Sequence, residues 1–282
     1  MELIKSRQWS TGYRIDIETP DGEESEYFIK ILDRKRGVEM ARGEYESMKT
    51  LMEYIPEAIN GPIAWGIFQL DSSRSFYLTR FRHTREVLPP VSELVPIIGK
   101  LHKSSKSPTG KFGFPVTTFY GRAPMDNTWT DSWEEYFTRE FRSSLEVAQL
   151  QLGNDAELAN LGEDFIAKVI PRLLRPLQTG GRSIKPTLCF GDLYDPNIQI
   201  DSLTRQPFLF DACCFYGHNE MDLQCMRSSK NALGREFVER YTKEVEPSEP
   251  VDEFDDRNTL YALRNDLQTI GMWPQWATLL NQ

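Results

Sequence analysis

Residues 190–197 read FGDLYDPN, and fourteen positions beyond Asn197 a further acid, Asp211, closes the run PFLFD. NIQID (197–201) and PFLFD (207–211) flank the polar stretch SLTRQ, the pattern of a β-hairpin. A symmetric register about that five-residue loop sets Asn197 opposite Asp211, Ile198 opposite Phe210 and Ile200 opposite Phe208. The apolar side chains then share one face, and directly opposed residues have Cβ atoms about 5 Å apart. The stretch predicts an amide oxygen and a carboxylate together at one end of a hairpin, with Asp192 on the loop entering it.

Hard oxygen donors of this kind suit Mg²⁺, which takes one or two protein oxygens and completes its octahedron with phosphate oxygens and water. A second carboxylate beside the metal can accept a hydroxyl proton. Protein kinases use this arrangement: an Asp, four residues, an Asn, and a metal-binding Asp at the end of the next strand. Asp and Asn are also ordinary turn residues, so D-x₄-N at 192–197 needs support from elsewhere in the chain.

That support lies near the N-terminus. YRIDIET alternates apolar and polar residues, PDGE supplies a turn and EYFIKIL resumes as a strand, so residues 13–32 form a hairpin. Lys30 shares a strand face with Phe28 and Leu32, which places an ammonium among apolar neighbours. A helix follows over VEMARGEYESMKTLMEYI, where Ala41, Glu44, Met48, Leu51 and Ile55 fall on one stripe, and NGP at 60–62 ends the segment. Glu44 interrupts the apolar face, and a buried carboxylate is expensive without a cation. Pairing Glu44 with Lys30, and leaving Lys30 to hold ATP phosphates, satisfies both. The bland alternative has Lys30 snorkelling and Glu44 at the stripe's edge.

The chain has 282 residues, enough for two packed lobes, and its 39% hydrophobic content with 16 Phe, 11 Tyr and 6 Trp excludes a disordered protein. A net charge of −9 disfavours nucleic acid or an anionic membrane as the main partner. The start, MELIKSRQW, has no leader-like apolar segment and no run is long enough to span a bilayer, so a cytoplasmic protein is expected. Cys189, Cys213, Cys214 and Cys225 lack CxxC spacing and are expected as reduced thiols in or near a core. Strands at 63–69 and 75–81 complete a small sheet. Beyond PP at 89–90, VSELVPIIGKLHK, WEEYFTREFRSSLEVAQLQL and EDFIAKVIPRLLRPL are expected as helices, with short strands at 187–190, 197–201 and 207–211. EVEPSEPVDEFDD is expected as a solvated acidic loop before a last helix at 257–270. The fold class is α+β and bilobal, with a β-rich N-terminal lobe at 1–82 and a mainly helical lobe at 83–282.

KFGFPVTTFYGRAPMDNTWTDSWEEYFTREF at 111–141, FGDLYDPN at 190–197 and FDACCFYGHNEMDL at 210–223 resemble the fructosamine kinases, or ketosamine-3-kinases. YFIKIL, ARGEYESMKTL and IIGKLHK extend the resemblance over nearly the whole chain. It implies a protein-kinase-like and aminoglycoside-phosphotransferase-like fold, ATP and Mg²⁺ as cofactors, and phosphorylation of the 3-hydroxyl of ketosamines on glycated protein amines or small molecules, which frees the amine. By residue it implies that Lys30 contacts ATP phosphates, Glu44 orients Lys30, Asp192 is the catalytic base, and Asn197 and Asp211 bind Mg²⁺.

Three positions depart from the family pattern: Phe190 replaces a His that braces the loop, Tyr194 replaces a Trp at the sugar pocket, and Ala212 replaces a Pro. The nucleotide-covering stretch SRQWSTGY carries Gly12 alone. These departures keep open a kinase fold without turnover, and a kinase for an aminoglycoside-like or choline-like amine is the other alternative. His102 is expected as a structural histidine, and Trp129 and Trp133 as packing residues with sugar stacking as the alternative. His218, Glu220 and Asp222 are expected to brace the loop in an ion-pair network, with substrate contact by His218 or Glu220 as the second role.

Overall fold

The computed structural model describes residues 2–6, 10–18, 20–33, 36–153, 155–229 and 231–273. The first strand, β1 (Glu2–Ser6), lies in a stretch that carried no strand expectation. Around the expected turn, β2 (Thr11–Glu18) and β3 (Glu24–Leu32) pair antiparallel, with Lys30 level with Gly12. Next come α1 (Gly37–Leu51), β4 (Pro62–Phe68) and β5 (Asp71–Arg80). The strands form one antiparallel sheet in the order β1-β2-β3-β5-β4, with α1 packed on β4 and β5. The helix buries Ala41, Met48 and Leu51, and Ile55 continues the stripe just past its end.

Past Arg80 the chain leaves this sheet. A two-residue strand, β6 (Thr84–Arg85), pairs instead with a strand of the distant hairpin, and helices dominate from there on. They begin with α2 (Val91–Ser104), followed by the small β7 (Phe119–Tyr120) and β8 (Ala123–Pro124) pair. The sequence marks both ends of α3 (Trp133–Leu152): Ser132 Oγ accepts from the Glu135 N–H, and Gly153 takes the left-handed conformation. Asp155 caps α4 (Ala156–Asp164) in the same way. The single helix expected over 163–177 is broken into a π-helical turn at Phe165–Val169, α5 (Ile170–Leu174) and a 3₁₀ turn at Arg175–Gln178. Pro171 and Pro176 supply no N–H for a continuous ladder.

Four short strands, β9 (Thr187–Cys189), β10 (Ile198–Asp201), β11 (Pro207–Leu209) and β12 (Phe215–Gly217), carry the loops of interest. The hairpin β10–β11 exists, but its register is one residue off the expected one. Ile198 faces Leu209 and Ile200 faces Pro207, so Phe210, whose N–H bonds to the Asn197 carbonyl, stands where Asp211 was expected. The turn explains the shift. Asp201 Oδ1 accepts from the N–H groups of Leu203 and Thr204, Arg205 adopts φ 62°, and the Asp201 N–H closes on the Gln206 carbonyl, so the loop has one residue fewer.

Two helices complete the chain, α6 (Gly234–Glu244) and α7 (Phe254–Met272), the latter packed along α3. The acidic segment before α7 is not merely a solvated loop: its residues 254–256 open the helix and Ser248 is tied into the interior. An aromatic core holds this half together, with Trp133, Tyr136, Phe137, Phe215 and Tyr261 all buried in mutual contact. All four cysteines are free and buried, as expected. No described helix is long and apolar enough to cross a membrane.

Candidate active site

The expected pair between strand and helix is present: Lys30 Nζ donates to Glu44 Oε2 at 2.7 Å. The same ammonium also donates to Asp211 Oδ1. Burial pulls the Lys30 pKa down, but the charges of Asp211 and Glu44 outweigh it and hold the group above its ordinary value. Lys30 is therefore a permanent cation, linking the small sheet and α1 to the loop after β11.

Asp211 reaches this point although Phe210 occupies the position opposite Asn197. It adopts φ 65°, a left-handed conformation that costs a non-glycine residue on the order of 1 kcal/mol or more. The turn swings the carboxylate away from the hairpin axis towards Lys30.

Asp192 follows β9 through a tight bend at Gly191, where φ is 89° and a Cβ would lie 2.1 Å from the Cys213 carbonyl oxygen, so only glycine fits. Asn197 Nδ2 donates to Asp192 Oδ2 at 2.9 Å and to the Asp192 carbonyl at 3.2 Å. That engagement orients the amide. Asn197 Oδ1 has no protein partner among the described residues, and Asn197 lines the same cavity as Lys30, Glu44, Asp192 and Asp211. The cavity measures about 350 Å³.

The loop carrying Asp192 stays braced although the phenyl ring of Phe190 can make no hydrogen bond. Asp222 Oδ2 and Oδ1 accept from the Phe190 and Gly191 N–H groups at 2.7 and 2.8 Å, and His102 Nε2 lies 3.0 Å from Asp222. Gln224 Nε2 donates to the Gly191 carbonyl, and Gln224 Oε1 accepts from Arg264, which pairs with buried Glu140. His102 thus has the structural role expected of it, its other nitrogen meeting the Tyr241 hydroxyl at 2.7 Å. Trp133 is fully buried, and Trp129 stacks on Tyr216.

Tyr194 lines the cavity, but His218 and Glu220 do not. Both are inaccessible, so the substrate contact offered for them gives way to the bracing role. Glu220 takes two hydrogen bonds from Arg257, at 2.8 and 2.9 Å, and one from the Ser248 N–H at 2.8 Å. His218 meets Tyr261 and Ser248, and burial pushes its imidazole down to about 4, so it is neutral near pH 7. Sequence reasoning missed the part of the cavity wall formed by Asn265, Asp266 and Thr269 of α7 with Phe119 and Gly121. Polar residues on one side of an amphipathic helix look like a solvated face, and no local signal marks them as facing a cavity.

A second cavity of about 230 Å³ shares Lys30, Glu44 and Asp211 and runs beneath the sheet, lined by Gly12, Phe28, Tyr77 and Phe208. Of the stretch expected to cover a nucleotide, residues 7–9 lie outside the described residues.

A lysine bridging helix and loop acids, beside a D-x₄-N loop between a β-rich and a helical half, defines the kinase-like phosphotransferase class. Solved structures share the fold. A candidate fructosamine-3-kinase from Haemophilus somnus superposes with TM-score 0.76 at 19% identity, covering 97% of this chain and 84% of that one. The ADP-bound aminoglycoside phosphotransferase APH(2'')-Ib gives TM-score 0.59 at 12% identity, covering 96% and 84%. The fructosamine kinase family model matches residues 4–274, and the chain belongs to that family. It is 29% identical over 250 residues to the chloroplastic protein-ribulosamine 3-kinase of Oryza sativa subsp. japonica, covering 88% of this chain and 68% of the relative.

If Lys30 and Glu44 act as one unit, Lys30→Ala and Glu44→Ala will each lower turnover, and the double variant will be little worse than the worse single. Steady-state kinetics of the three variants check this, and fully additive losses would contradict the pair.

Proposed function

We propose that the protein transfers the γ-phosphoryl group of ATP to the 3-hydroxyl of a ketosamine, with Asp192 as the base. The carrying observation is the single cavity in which Lys30, Glu44, Asp192, Asn197 and Asp211 converge. The ribulosamine kinase relative supports the acceptor class, and the ADP-bound neighbour supports a nucleotide as donor.

In this reading the aromatic-lined second cavity takes the base of the nucleotide, and the shared acids and Lys30 meet its phosphates. The donor set fits Mg²⁺: Asn197 presents an amide oxygen without a protein partner among the described residues, and Asp211 presents a carboxylate held beside a cation. Bound there, Mg²⁺ would neutralise phosphate charge. Lys30 adds a fixed positive charge, and Glu44 keeps its ammonium from turning away. Asp192, its Oδ2 held by Asn197, accepts the hydroxyl proton as the acceptor oxygen attacks.

Incubation with ATP, Mg²⁺ and a panel of ribulosamines, fructosamines, an aminoglycoside and choline, read by mass spectrometry, tests the assignment. A 3-phosphorylated ketosamine is expected, and phosphorylation of none of the ketosamines would overturn it. ATP affinity is expected to rise with Mg²⁺, and Asp211→Asn is expected to weaken that dependence, since a neutral amide is the poorer ligand. Calorimetric titration of ATP with and without Mg²⁺ measures both, and equal Mg²⁺ dependence in variant and parent would remove Asp211 from the metal site.

A further inference from the structure

Asn265 and Asp266 are neighbours on α7, and both line the catalytic cavity. The cavity wall carries four carboxylates among its described residues, of which Glu44, Asp192 and Asp211 have roles in phosphoryl transfer. Asp266 has none. Asn265 is only 5% exposed. Its Oδ1 accepts from the Tyr120 hydroxyl at 2.6 Å and lies 3.7 Å from the Cys225 thiol, which donates to the same oxygen. Two donors at one oxygen fix the orientation of the amide. Its Nδ2 has no protein partner among the described residues, and Asn265 lines the cavity, so this donor is open to a ligand there. A ligand atom in the cavity would satisfy it.

A ketosamine presents a matching row of groups. Its nitrogen is attached to C1, an oxygen sits on C2, and the reacting hydroxyl sits on C3. The amine is protonated near neutral pH, and the C2 oxygen accepts hydrogen bonds in both the open and the ring form.

We propose that Asn265 and Asp266 form the aminoketone subsite of the acceptor: Asn265 Nδ2 donates to the C2 oxygen and the Asp266 carboxylate pairs with the protonated C1 amine. This rests on the ketosamine kinase reading and deepens it. With Asp192 at the 3-hydroxyl, three consecutive groups of the acceptor are each met by a complementary side chain. The cationic amine, rather than the sugar hydroxyls shared by all ketoses, then separates a ketosamine from a free ketose. A charge-assisted contact of this kind discriminates by on the order of tenfold or more.

The test uses two acceptor analogues lacking the reacting hydroxyl, a 3-deoxyketosamine and its counterpart with an ether oxygen in place of the amine. Their dissociation constants are measured by calorimetry with a non-hydrolysable ATP analogue present, and ketosamine turnover by the parent protein is measured alongside. The parent is expected to prefer the amine. Asp266→Asn should reduce that preference by on the order of tenfold, with Asp266→Glu recovering part of it. Asn265→Ala should weaken both analogues by similar factors, since both keep the C2 oxygen. An active parent whose preference survives Asp266→Asn overturns the subsite while leaving the kinase reading intact. A parent that turns over no ketosamine overturns the reading beneath it. Asp266 is half-buried, so its variants carry the test even if Asn265→Ala fails to fold.

Discussion

Asp192→Asn is expected to lower kcat by on the order of 10²-fold or more while the protein stays folded and still binds ATP. The substitution keeps the size of the side chain and an oxygen able to accept the hydrogen bond from Asn197 Nδ2, so the loop geometry set by Gly191 and Asp222 is retained. The loss is a basic oxygen for the acceptor's proton. A positioned base acts in the transition state, whereas the acceptor in the ground state is held by its other polar groups, so KM should change little. Kinetics with a small ketosamine and calorimetry with ATP separate the two effects. A well-folded variant with near-parental kcat would exclude Asp192 as the base.

The second large effect concerns stability. Glu220→Ala removes the carboxylate partner of Arg257, whose side chain is fully buried. Breaking such a pair by taking one member away typically costs about 3–5 kcal/mol, because the remaining charge is left in a low-dielectric interior. The carbonyls of Ser248 and Pro250 still accept from Arg257, which offsets part of the loss but not the charge. A drop in the urea midpoint and in Tm is expected, with kcat per folded molecule close to that of the parent. A collapse of kcat without loss of stability would return Glu220 to the substrate site. Replacing Glu220 and Arg257 together by apolar residues of similar volume should recover much of the lost stability. Pairs such as Lys100 with Glu57, both about half exposed, should contribute on the order of 1 kcal/mol or less.

The contrast between these two carboxylates shows what local pattern can and cannot decide. Asp192 is legible because D-x₄-N keeps both its members within one turn and its neighbouring strand. Glu220 sits in a motif just as recognisable, but its role depends on Arg257 and Ser248, which come from α7 and the segment before it.

By itself, the sequence determined the elements whose causes are local. Period-two alternation made β2 and β3, and helical spacing made α1 and placed Glu44 on the stripe that faces Lys30. Ser132 and Gly153 bounded α3. The joint demand of a buried lysine and a buried glutamate favours their pairing, since each would be costly alone. Tertiary structure decided the rest. The hairpin register turned on the side chain of Asp201 capping its own loop, and Asp211 reached Lys30, 181 residues away in the chain, through a left-handed backbone that no hydrophobic period encodes. Asp222, 32 residues beyond Phe190 in the chain, braces the loop through the backbone N–H groups of Phe190 and Gly191, bonds that do not depend on the side chain at 190. Periodicity specifies which face of a helix is apolar and must be buried. It leaves open what the polar face of α7 meets, and packing along α3 puts Asn265 and Asp266 at the catalytic cavity rather than in solvent.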